Sequence, residues 1–119
     1  MRFFFTILVC LLSFSIFAQD DARKLQETAK TFTRQGDYTN AILVLNRAAS
    51  LSPNDPAIQK EIAYNYFLNG EYDQAAAFIK PLTEKEDADI QTFQIAGTIY
   101  KGKNDRKNRR QQRLCSIIE

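Results

Sequence analysis

The chain repeats itself every 34 residues, and that period constrains its fold more than any other feature. With residues 22–55 set above 56–89, Ala29 matches Ala63, Phe32 matches Tyr66 and Gly36 matches Gly70. Asp37-Tyr38 matches Glu71-Tyr72, Ala41 matches Ala75, and Leu45 matches Ile79. A third copy begins at Ile90, with Phe93, Ala96-Gly97 and Tyr100 at the same offsets, and then loses the pattern. Periods of this length mark a supersecondary unit that cannot bury its apolar face alone and is stacked on its neighbours.

Each unit reads as two helices. Leu25, Ala29 and Phe32 are spaced four and three apart, which puts them on one helical face. Gly36 predicts the end of that helix, because only glycine enters the left-handed conformation at little cost. Asp37 can then accept a hydrogen bond at the start of a second helix. Ala41, Leu45 and Ala48 form its inner face, and Ser52-Pro53-Asn54-Asp55 stops it with turn residues. Pro56 suits the first turn of the next helix. The alanines have a packing reason: they let helices approach while Phe and Tyr fill the gaps.

The runs Gly36-Asp37-Tyr38-x-x-Ala41 and Gly70-Glu71-Tyr72-x-x-Ala75, with Phe93-x-x-Ala96-Gly97-x-x-Tyr100, resemble tetratricopeptide repeats. Pro53 falls where that family places its repeat-ending proline. Leu25 and Gln59 replace the usual aromatic residue, and Asp87 replaces the second repeat's proline. The resemblance covers residues 22–105. It implies an all-α helix-turn-helix solenoid with two full repeats, 22–55 and 56–89, and a partial third at 90–105. It also implies antiparallel helix pairs, a right-handed superhelix, and a concave groove lined mainly by the first helices.

The N-terminus has a different plan. Arg2 precedes a charge-free run from Phe3 to Phe17, and the composition turns polar at Gln19-Asp20-Asp21. That is the arrangement of a secretory signal peptide over residues 1–18, with cleavage expected after Ala18. An uncleaved anchor is the alternative. A cleaved chain would be periplasmic, held in the cell envelope or secreted, with no stable membrane insertion, and would keep Cys115 as its one cysteine. One thiol neither staples a domain nor makes a metal site alone.

The C-terminus breaks the register. Arg106, Arg109 and Arg113 fall where Tyr38, Ala41 and Leu45 stood, so three core positions become arginine in succession. Residues 19–100 carry 8 basic and 12 acidic side chains, whereas 101–119 carry 7 and 2. Unpaired guanidinium groups are costly to bury, so this basic tail of 106–119 is expected to pack loosely if at all. Three readings stay open for it: a solvated terminal helix, a repeat truncated or read out of frame, or a basic arm for nucleic acid or anionic membrane. No aromatic residues interleave its charges, which argues against nucleic acid. The end left uncapped invites self-association.

Chemistry is sparse in this composition. There is no His, which removes the commonest general base and metal ligand. No Gly-rich phosphate loop occurs, and Glu84–Asp89 lacks the alternating ligands and central glycine of a calcium loop. No enzyme, cofactor or metal is expected. Surfaces remain. Lys30 and Arg34 in the first repeat, Lys60, Tyr64 and Phe67 in the second, and Lys101 in the third should face away from the core on first helices. They suggest a groove with basic edges and an aromatic centre, suited to a peptide or protein partner of acidic character. The expected function is an exported interaction scaffold. The alternative is an N-terminal spacer or anchoring fragment of a longer envelope protein without binding of its own.

Overall fold

The structure, a computed structural model, describes residues 20–118. The signal segment expected over 1–18, with its cleavage point, lies outside the described residues. Among them five helices follow one another without a strand: α1 (described over 20–34), α2 (Tyr38–Leu51), α3 (Pro56–Leu68), α4 (Tyr72–Thr83) and α5 (Ile90–Ile118). The fold is all-α and built of helix-turn-helix pairs, α1 with α2 and α3 with α4.

Two glycines make the two tight turns. Gly36 has φ 78° and Gly70 has φ 80°, both in the left-handed region. The amide of Asp37 donates to the Phe32 carbonyl (3.0 Å) and that of Glu71 to the Tyr66 carbonyl (2.9 Å), closing the loops that satisfy the final carbonyls of α1 and α3. Asp37 then caps α2, its Oδ1 accepting from the Asn40 amide at 3.2 Å. Glu71 is one methylene longer and does not cap α4; its Oε1 accepts from Asn69 Nδ2 instead, at 2.6 Å. Pro56 opens α3 as its spacing predicts, and Asp55 Oδ1 accepts from the Ala57 amide at 2.9 Å.

The chain divides into two compact units, residues 1–58 and 59–119. In the first, Ala29, Ala41, Leu45 and Ala48 are buried, as the four-and-three spacing requires, while Leu25 and Phe32 are half-buried. In the second, Ala63, Ala75, Ala76, Ile79, Leu82, Ala96 and Ile99 form one cluster, with Tyr66, Phe67, Phe78 and Ile95 packed around it. Tyr66 stacks on Phe78 with ring centroids 5.5 Å apart.

The third repeat departs from its register in an instructive way. Asn104 holds the offset of Gly36 and Gly70, and the chain makes no turn there: α5 runs unbroken for 29 residues, about 43 Å at 1.5 Å per residue. A left-handed residue other than glycine is strained, and Lys, Arg and Gln favour helix. A returning helix would also have to bury Arg106, Arg109 and Arg113. The helix crosses 105/106 without a break, and side chains from Lys103 to Ile117 are exposed. Phe93 (54% exposed) and Tyr100 (40%) lack the cover that Phe78 gives Tyr66.

Candidate functional site

The six residues singled out by sequence meet different fates. In the first unit, Lys30 is half-buried on α1 and Arg34 is exposed. Lys30 Nζ donates to Glu27 Oε1 at 2.8 Å, and that bond with the ammonium charge holds the Glu27 carboxyl below its usual range.

In the second unit, Lys60 serves the fold. Its side chain is only 13% exposed, and Nζ donates to Asp89 Oδ2 (2.8 Å) and Gln91 Oε1 (3.3 Å). Asp89 also caps α5, its Oδ1 accepting from the Thr92 amide (2.8 Å) and hydroxyl (2.6 Å). Lys60 first, then these Thr92 bonds, hold the Asp89 carboxyl far below the ordinary range. The lysine thus ties α3 to the start of α5, and its charge is largely committed. Tyr64, one turn on, is 41% exposed and stacks on Phe67 at 6.2 Å. Phe67 is half-buried against the core cluster, and Lys101 is exposed on α5. Lys60 reaches Gln91, and Phe67 reaches Gly102, so α5 runs alongside this stretch of α3. Gln94, Thr98 and Lys101 continue an exposed row on α5.

Five residues that the sequence did not assign to the groove organise the neighbouring surface. Tyr72, at the start of α4, meets Phe67 edge-on (5.6 Å, 72°). Gly102 comes so close that a Cβ there would lie 2.6 Å from Tyr72 Cε1 and 2.9 Å from Phe67 Cε2. Arg106 lies 5.7 Å over the Tyr72 ring, and its Nη1 donates to the Gly70 carbonyl at 2.8 Å. Lys103 Nζ pairs with Asp73 Oδ1 at 3.0 Å. That bond and the Lys103 charge, with smaller help from Arg106 and Arg110, hold the Asp73 carboxyl below its usual range. The available signal was Gly102: a glycine inside a helical pattern costs stability unless something packs against it.

Among the described residues no three His, Cys, Asp or Glu side chains gather as a metal site, and no helix is long and apolar enough to cross a membrane. A family model described as tetratricopeptide repeat matches residues 32–94, just over half of the chain. The chain belongs to the tetratricopeptide-repeat family. No curated protein and no solved structure matches it. Repeats of this family generally mediate protein–protein interaction and typically carry no catalysis of their own.

Proposed function

We propose that the protein is an exported, non-catalytic scaffold that takes up a peptide or protein partner on the first-helix surface of its repeats. The observation that carries the binding reading is Tyr64: a tyrosine ring 41% exposed, backed by Phe67 and flanked on α5 by the exposed row ending at Lys101. An amphipathic ring fixed by stacking binds at low entropic cost, and rigid aromatic side chains dominate interface energetics. Lys60 contributes by holding this surface together, since its ammonium is already engaged by Asp89 and Gln91. Export is supported by Arg2 and the charge-free run from Phe3 to Phe17, and puts the partner in the envelope or outside the cell.

Affinity capture from an envelope fraction tests the reading. Tyr64→Ala with Lys101→Glu should lose the partner held by the parent and keep its helical circular dichroism. Gln74→Ala, exposed on α4, should retain it. Lys60→Glu would be a poor probe because it also unties the start of α5. Undiminished capture by the Tyr64/Lys101 variant would remove this surface from the account.

A further inference from the structure

We infer that the basic half of α5 forms a second docking surface, distinct from the Tyr64 face, for an acidic segment of a partner polypeptide. Gly70, Tyr72, Arg106, Arg109, Gln112, Arg113 and Ser116 line an open cleft of about 790 Å³. Three guanidinium groups face it, and among the described residues no carboxylate lines it. The flank of the helix that holds Lys103, Lys107 and Arg110 differs, because Asp73 pairs with Lys103 there. Arg106 borders both flanks and feels the Asp73 charge, whereas Arg109 and Arg113 line the cleft alone.

The cleft is organised before any ligand arrives. Arg106 is held by the Gly70 carbonyl and the Tyr72 ring, and Tyr72 is in turn held by Phe67 and the close approach at Gly102. Arg109 and Arg113 follow one and two turns along the same helix, spreading the three groups over about 10 Å. Planar guanidinium forks donate paired hydrogen bonds to carboxylates, and Arg106, already fixed, loses little freedom on binding. Gln112 and Ser116 add neutral hydrogen-bonding groups suited to a peptide backbone. Carboxylates at alternate positions of an extended peptide lie about 7 Å apart, a spacing that flexible arginine side chains spread over about two turns can meet.

Other anions fit less well. Tyr72, the one aromatic ring in the cleft, is covered by Arg106, which leaves no platform for stacking bases. From Lys103 to Arg113 every residue is polar, so no apolar stripe accompanies the charges into a bilayer; Leu114 and Ile117 belong only to the last turns.

The test uses the full chain and a short fluorescein-labelled peptide with Glu at alternate positions, read by anisotropy at physiological ionic strength. Arg109→Glu with Arg113→Glu should weaken binding by roughly thirtyfold. Lys107→Glu with Arg110→Glu makes the same change of net charge at residues that do not line the cleft and should stay within about threefold, because exposed charges that make no direct contact act only weakly through salt solution. Arg109→Ala with Arg113→Ala should lose roughly tenfold and guards against a helix weakened by the reversal. The Gln version of the peptide should not bind. Equal losses from the two reversals, or equal binding of the Gln peptide, would reduce the surface to bulk charge and overturn the inference. So would a thymidine oligonucleotide, or vesicles of phosphatidylcholine with phosphatidylglycerol, that bind more tightly than the acidic peptide and lose that binding in the Arg109/Arg113 variant.

Discussion

Two glycines of α5 should respond to the same substitution with opposite signs. In the middle of a helix, alanine is preferred over glycine by about 0.8–1.0 kcal/mol. At Gly97 nothing lies within 4 Å of the added carbon, so Gly97→Ala should realise that gain. At Gly102 the new Cβ would sit 2.6 Å from Tyr72 Cε1 and 2.9 Å from Phe67 Cε2, well inside ordinary carbon–carbon contact. Neither ring retreats freely: Phe67 packs on the core cluster, and Tyr72 lies between Phe67 and Arg106. Overpacking of this kind costs about 1–3 kcal/mol, which outweighs the helix preference and leaves Gly102→Ala destabilising by about 0–2 kcal/mol. The two variants should then differ by about 1–3 kcal/mol. In thermal melts followed by far-ultraviolet circular dichroism, that is a separation of at least about 4 °C, with Gly97→Ala above the parent and Gly102→Ala at or below it. A Gly102→Ala melt at or above that of Gly97→Ala would refute the close approach and, with it, the fixed position of Tyr72 beneath Arg106.

Other expectations follow from burial and charge. Leu45→Ala, at a fully buried site, should cost about 2–5 kcal/mol in urea unfolding, whereas Leu43→Ala, largely exposed on the same helix, should change stability by less than about 0.5 kcal/mol. Asp89 is held far below the ordinary aspartate value of about 3.9, so its contribution is full above that pH and is lost as pH falls toward the folded-state value. An acid titration of the parent should therefore show loosening at the start of α5 below about pH 4; Asp89→Asn keeps a capping side chain and should lack that step. Amides of 107–118 should exchange well before those of 92–99, because the tail is helical yet its side chains from 107 to 117 are exposed.

The repeated part of the fold was legible because its signals are local. Gly36 and Gly70 announce left-handed turns, Asp37 a cap and Pro56 a helix start, and the spacing of Ala41, Leu45 and Ala48 gives the buried face. Each depends on residues within a turn or two of chain. The course of α5 was half legible: the arginines showed that no third pair could close, but an unbroken 29-residue helix also needed Asn104 read against Gly36 and Gly70. The surface was harder. Helical spacing put Lys60 on an outward face without revealing that Asp89, 29 residues away, would engage it. The Tyr72–Arg106 stack and the Gly102 contact likewise join residues far apart in sequence, which periodicity alone cannot pair.

Site-specific photo-crosslinking tests the central claim, that a partner docks on the first-helix surface. A benzophenone amino acid placed at Tyr64, and separately at the exposed Ala77 of α4, samples that surface and a second-helix surface of the same unit. Irradiation with the captured partner should give an adduct from position 64, lost when Lys101→Glu is added, and none from position 77. Adducts from position 77 with none from 64 would contradict the account.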